Sequence, residues 1–427
     1  MKSSRIYLRL TSIIFAAWVL MIFIDSRLFG IIEIPDSLFI YMGSTSRFFV
    51  GALSILLAIV TIQHNKLDRS SFLHKYLLIY VAVIISTVFY TVLAFPDQYL
   101  KVSIRYATQY LIILFTIPLL YYAKRKSIKP ILNSANILCL FSNVIILLQA
   151  IIYNGGGNIF LKNIINYWEN GSADIRDGRI RIGLYALSST MILYNYYIAF
   201  FSKSKIKEKI FSTTLLVIGL IDAFYVQQTR VSMAMIIISM ILPLAFHVKK
   251  MFGKVVIILI VAIIILSTTG IIGNIYLSFF SEELSRSTIG RSIGYQYYWN
   301  YFLNHPIWGF GFARDGVYAS IVHGPTGLAY TSDCGFIGQL GTLGIFSMVL
   351  EIPLIVRGTH ILIKSKDIFL EMLFVYLIGT NISMSSFEAP LMLNLVMVIV
   401  LFEYTNFKNT RKIYYEIDNT NSKDTNT

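Results

Sequence analysis

Apolar residues fall in continuous runs of about 15 to 22, each long enough to cross about 30 Å of hydrocarbon as a helix, separated by mostly short polar segments. They lie near residues 8–24, 38–62, 76–95, 102–122, 131–152, 183–201, 210–227, 231–247, 255–276, 336–356, 368–383 and 391–405. Twelve helical spans are therefore expected. The runs are unbroken, not ten-residue alternating segments, which excludes a transmembrane barrel. The first run has no A-x-A-like cleavage site after it, so it reads as a retained span and not a signal peptide.

Composition supports the same class. Hydrophobic residues make up 56% of the 427 and charged residues 14%, against about 45–50% and about 25% in soluble domains. The expected fold is an all-α integral membrane protein, a single polytopic domain over 1–427 with about twelve transmembrane helices. Twelve helices use nearly the whole apolar inventory, so little remains for a large soluble domain. Two cysteines, Cys139 and Cys334, are too few for a disulfide framework or a larger thiolate metal site.

The formal charge of +14 must be divided between the two sides of the membrane. One set of inter-span segments (the N-terminus, 64–75, 123–130, 202–209, 248–254, 357–367 and the tail 406–427) carries 24 of the 36 Lys and Arg. The positive-inside rule puts this set, and both termini, in the cytoplasm. With acids counted, the inner side carries +16, the outer side zero and the spans −2. The basic excess is topological, and nucleic acid is not expected as a partner.

Arginine is distributed differently from lysine. Only six of the 24 inner cations are Arg, but ten of the twelve outer ones are: Arg27, Arg47, Arg105, Arg176, Arg179, Arg181, Arg230, Arg286, Arg291 and Arg314. Lysine suffices for topology, whereas a planar five-donor fork suits phosphate or carboxylate held in fixed geometry. The outer face thus reads as an anion-binding surface; pairing with the twelve outer acids is the alternative.

Two outer loops are long, 153–182 and 277–335, and long loops in compact bundles commonly carry function. In the first, Ile159, Phe160, Ile164, Ile165 and Trp168 share one face, as in an interfacial amphipathic helix. In the second, the stretch from Tyr295 to Leu303 favours an aromatic-bearing helix, and Pro306, Gly309 and Gly311 mark a turn with a close backbone approach. Gly309-Phe310-Gly311 is not a dinucleotide fingerprint, because no third glycine follows at the required spacing and no parallel sheet precedes it.

Three places carry a family resemblance over roughly residues 100–350. They are Arg179-Ile180-Arg181-Ile182-Gly183, the turn Thr229-Arg230-Val231-Ser232, and the stretch from Arg291 through Trp299, His305-Pro306 and Gly309-Phe310-Gly311 to Ser332-Asp333-Cys334-Gly335-Phe336-Ile337-Gly338. In their order and placement the chain resembles the bacterial O-antigen polymerase and O-antigen ligase superfamily, and within it the Wzy-type polymerases of capsular and exopolysaccharide repeat units. It departs in having Thr229 and Val231 where the family turn has Ser and Gly, and Gly324 after His323 where ligases have Asn.

The resemblance implies glycan transfer from an undecaprenyl-pyrophosphate-linked oligosaccharide to a second lipid-linked repeat unit on the outer leaflet of the bacterial cytoplasmic membrane. A flippase and a chain-length regulator are implied as partners. The leaving pyrophosphate needs a counter-charge. The outer loops offer no DxD pair and no His and carboxylate cluster at ligand spacing, so arginine is expected to provide it, without metal or cofactor. Candidate pyrophosphate ligands are Arg179, Arg181, Arg230, Arg286 and Arg314; candidate catalytic residues are Arg291, Asp333 and His323, with His305 a lesser one before Pro306. Within spans, Asp222 and Glu351 are expected to pair with Arg230 and Arg357. A ligase remains the nearest alternative. A flippase or transporter is disfavoured because the two six-span halves do not match in loop lengths.

Overall fold

The computed structural model describes residues 2–26, 36–64, 71–158, 160, 174–176, 179–182, 186–227, 230–247, 282–313, 318–387 and 391–424. The expected span at 255–276, most of the amphipathic stretch from Ile159 to Trp168, and Arg314 lie outside these residues. The described chain is helical apart from one short hairpin. Its first half comprises α1 (Lys2–Asp25), α2 (Asp36–His64), α3 (Phe72–Ala94), α4 (Leu100–Tyr110), α5 (Thr116–Lys126) and α6 (Lys129–Asn154), the antiparallel hairpin β1 (Asp174–Arg176) and β2 (Arg179–Arg181), and α7 (Ala186–Phe200). The second half runs through α8 (Ile206–Asp222), α9 (Arg230–His247), α10 (Glu282–Asn304), α11 (Ala319–Val322), α12 (Gly335–Leu343), α13 (Phe346–Ser365), α14 (Ile368–Thr380) and α15 (Met392–Asp424).

Eleven of the twelve apolar runs fall on these helices. By length and apolarity, five helical stretches among the described residues suffice to cross a membrane: Phe72–Ala94, Leu100–Lys126, Lys129–Asn154, Ile206–Gln227 and Phe346–Ser365. Phe48–His64, Val231–Ala245 and Ile368–Thr380 are shorter apolar helices. Large apolar side chains face outward, among them Leu93 (81% exposed), Ile363 (71%) and Phe89 (67%). In water each would forgo about 2 kcal/mol of burial; against lipid none does. These are the features of a multi-pass membrane protein.

Between helices the contacts are close and partly polar. Trp18 is fully buried, and its indole N–H points at Ile131 O and Ser134 Oγ, both at 3.2 Å, tying α1 to α6. Asn136 of α6 and Asn195 of α7 exchange amide hydrogen bonds of 3.1 and 2.7 Å. Gly51 lets α2 approach α4 so closely that a Cβ there would lie 2.2 Å from Thr108 O. Helices α9 and α14 run antiparallel, with Met235 packed on Gly379 at one end and His247 Nε2 2.9 Å from Glu371 Oε2 at the other.

Two expectations are corrected. The run 336–356 is not one helix: it breaks into α12 and α13 at Gly344, which adopts φ 57°. The turn Pro306–Gly311 enters this break, where Phe310 N donates to Gly341 O (3.0 Å), Gly311 N to Thr342 O (2.8 Å) and Ile345 N to Pro306 O (2.7 Å). The second correction concerns Glu351; the side chain of Arg230, the expected partner of Asp222, lies outside what the structure describes. Arg357 forms a two-pronged pair with Glu403 of α15, through Nε at 2.7 Å and Nη2 at 3.0 Å, and so does not serve Glu351. Glu351 instead accepts from Asn381 Nδ2. Asp222 is buried, and neither of its carboxylate oxygens has a hydrogen-bond partner among the described residues. Four residues apart on one face is ordinary helix pairing; the six between Glu351 and Arg357 are not, which is why the lateral neighbour won.

Gly309 and Gly327 give a matched test of this docking. Both have positive φ (58° and 69°), but a Cβ at Gly309 would lie 2.2 Å from Gly341 O, whereas at Gly327 it would meet nothing within 4 Å. Gly327→Ala should cost about 1 kcal/mol, the left-handed penalty alone. Gly309→Ala should cost at least about 2 kcal/mol more, as overpacking is added. Thermal unfolding of the detergent-solubilised protein measures both; equal losses would refute the docked turn.

Candidate functional site

The hairpin is positioned by α6 and by the segment after α8. Buried Ile180 of β2 joins Ile146, Ala150, Ile182 and Val226 in a small apolar cluster. Its amide donates to Asn154 Oδ1 (3.0 Å), and Asn154 Nδ2 donates to the Tyr225 hydroxyl (3.2 Å). After Asp222 the helix widens into a π turn, Ala223–Gln227, whose freed carbonyls receive the hairpin. Ile182 N donates to Val226 O (3.3 Å) and Arg181 Nε to Gln227 O (2.9 Å). Arg181 is thereby fixed three residues short of Arg230, the first residue of α9. Arg179 pairs with Arg176 in the hairpin register.

A second group forms where α10 meets α12. The buried cluster Phe95, Tyr298, Phe310, Ala313, Val322, Ala329 and Cys334 anchors α10 to the end of α3 and to the start of α12. Gly294 makes room for Cys334, since a Cβ there would lie 2.5 Å from its sulfur. From α3, the Tyr90 hydroxyl donates to Gly309 O (3.2 Å) and Thr91 Oγ1 accepts from Phe312 N (2.9 Å). Tyr90 also stacks on Trp308, with ring centroids 5.4 Å apart.

On this scaffold Arg291 and Tyr295 lie one turn apart on α10, and Tyr295 lies within electrostatic reach of both Arg291 and Asp333. Arg291 Nε is buried and finds no hydrogen-bond partner among the described residues. Asp333 is exposed, in the 3-10 turn Thr331–Asp333 that leads into α12. Burial chiefly raises the Tyr295 pKa; Cys334 and Asp333 raise it too, while Arg291 opposes them. The phenol therefore stays protonated at neutral pH, and it donates to Ile382 O at 2.6 Å.

His323 is placed differently. Its Nδ1 lies 3.0 Å from Ala329 O, its backbone N–H donates to Ala319 O and its own carbonyl receives Ala329 N–H (3.0 Å), so it closes the loop 323–329. Its ring packs against Tyr330, whose carbonyl accepts from Asp333 N (3.1 Å). His305 is exposed and stacks on Tyr301. Arg286 occupies α10 slightly more than one turn before Arg291.

Tyr295 and the segment 381–386 were not singled out from the sequence. Tyr295 is one aromatic among many on α10, and only its hydroxyl contact distinguishes it. The segment Asn381-Ile382-Ser383-Met384-Ser385-Ser386 follows α14 and carries buried Ser383, Ser385 and Ser386. It links the two groups. It leaves α14, which packs along α9, and its backbone carbonyls receive Tyr295 and the start of α12 through Phe336 N to Asn381 O at 2.8 Å. A run of three serines beside an apolar helix is the one signal that was available.

Among the described residues, no group of three or more His, Cys, Asp or Glu is arranged to hold a metal ion. The chemistry present is guanidinium, phenol and carboxylate, a set suited to an anionic substrate with a hydroxyl partner. No curated protein and no solved structure matches the chain. Residues 215–350, which contain Arg230, Arg291, Tyr295, His323 and Asp333, match the family model Wzy_C, described as O-Antigen ligase, and this match supports the O-antigen polymerase and ligase superfamily.

Proposed function

We propose that the protein is a polysaccharide polymerase of the bacterial cytoplasmic membrane, with about twelve crossings, both termini cytoplasmic, and the Arg291 group on the outer side. It transfers glycan from an undecaprenyl-pyrophosphate donor to the terminal sugar of a second lipid-linked repeat unit. The observation that carries this reading is Arg291. A guanidinium with a buried, unpartnered Nε beside Tyr295 and Asp333 has unused capacity for an oxyanion.

In this mechanism the anomeric carbon–oxygen bond breaks and charge develops on the departing pyrophosphate. Arg291 stabilises that charge, with Arg181 and Arg230, and Arg179, Arg286 and Arg314 in support. Asp333 accepts the proton of the attacking sugar hydroxyl. His323, its Nδ1 committed to Ala329 O, supports the loop and leaves Nε2 as its remaining polar atom. A flippase supplying lipid-linked units and a chain-length regulator belong to the same proposal.

The family match fits a second reading, a ligase, equally well. Donor chemistry is common to both, and only the acceptor differs. A polymerase extends lipid-linked units, whereas a ligase places finished glycan on a different lipid or protein.

Two outcomes test these readings. Alanine at Arg181, Arg230 or Arg291 should lower transfer by on the order of 10² to 10³, and lysine, which keeps charge without the fork, by less. Glycan ladders and leaflet accessibility of the lipid-linked unit read the result at matched protein levels. Single units should accumulate on the outer leaflet; normal ladders in all three variants would exclude the assignment, and units trapped inside would indicate a flippase. For topology, an impermeant thiol reagent applied to intact cells should label a cysteine placed at Gly316 and spare one at Lys205; the reverse pattern would invert the orientation.

A further inference from the structure

The buried carboxylate of Glu351 has no cation partner among the described residues, since Arg357 is committed to Glu403. One of its oxygens accepts from Asn381 Nδ2, and the other, Oε1, is buried without a partner among the described residues. Such a group is costly within apolar helices, and its retention calls for a role. Asn381 shows what that role is. Its Oδ1 accepts from Ser386 N (3.0 Å), which closes the segment 381–386 into a turn. Its backbone carbonyl accepts from Phe336 N (2.8 Å), which fixes the first turn of α12, three residues beyond Asp333. The neighbouring carbonyl of Ile382 receives the Tyr295 hydroxyl. Gly335, with φ 49°, allows this approach: a Cβ there would lie 2.2 Å from Asn381 O.

We propose that Glu351 is a positioning residue: by holding the Asn381 side chain it sets the 381–386 segment, and through it the relative placement of Tyr295 and Asp333. It touches no substrate. The proposal rests on the reading of this site as a glycan-transfer centre, but the contact chain itself does not.

Three variants and two readouts test it. Glu351→Gln keeps an acceptor for Asn381 Nδ2; Glu351→Leu and Asn381→Leu do not. With a lipid-diphosphate-linked oligosaccharide as donor and acceptor, both leucine variants should lower kcat by on the order of 10². Their donor KM should stay near wild type, because the arginines are untouched. Glu351→Gln should retain most of the rate, and the double leucine variant should be no slower than the slower single one, as expected for residues acting through one another. Hydrogen exchange supplies a readout independent of activity: the Phe336 and Ser386 amides should lose protection in Glu351→Leu and keep it in Glu351→Gln. Unchanged protection in Glu351→Leu overturns the proposal whatever the substrate. So does a full rate per folded molecule in that variant, or a Glu351→Gln variant as slow as Glu351→Leu. If wild type transfers nothing while the amides respond as stated, the functional reading fails and the latch itself stands.

Discussion

A break in a helix within an apolar bundle leaves backbone groups that water does not reach, and each must find a partner inside the protein. The break at Gly344 is met by the backbone of Pro306–Gly311, in three hydrogen bonds that join this turn to the last residues of α12 and to Ile345. Much else follows from that exchange. It fixes the end of α10, and the Tyr90 and Thr91 contacts extend the anchorage to α3. With α10 held, Arg291 and Tyr295 face the start of α12, where Asp333 enters.

The hairpin is secured by the same principle. The π turn at Ala223–Gln227 releases carbonyls from the regular helical ladder, and β2 accepts the role of partner through Ile182 N and Arg181 Nε. At both places a segment distant in sequence satisfies the irregular backbone, and beside the π turn that segment carries Arg181. Arg181 gives its Nε–H to Gln227 O and so ties the hairpin to the π turn.

How much of this was readable from the sequence varies with the physical origin of each feature. Eleven apolar runs fall on described helices, five stretches of which are long and apolar enough to cross a membrane, because burial in lipid demands continuous runs. They misjudged 336–356, because the break depends on a partner turn some 35 residues earlier, which hydropathy does not register. Pro306, Gly309 and Gly311 did announce a close backbone approach, though not what was approached. The pairing of Glu351 with Arg357 failed for the same reason, as the deciding residues, Asn381 and Glu403, come from other helices. Arg291 and Asp333, singled out by residue type and order, both lie within electrostatic reach of Tyr295, and His323 closes the neighbouring loop 323–329.

The paired amides of Asn136 and Asn195 bear on the height of the hairpin. Apolar helices packed side by side in lipid have little to stop one sliding along the other, and each residue of slip amounts to about 1.5 Å. Two reciprocal amide bonds admit a single offset between α6 and α7. Five turns further along α6, Asn154 grips the Ile180 amide, so whatever offset the amides select is transmitted to β2. A pair of asparagines deep in the bundle thus acts as a vernier stop, setting α6, and with it the hairpin that carries Arg181, at one level against α7.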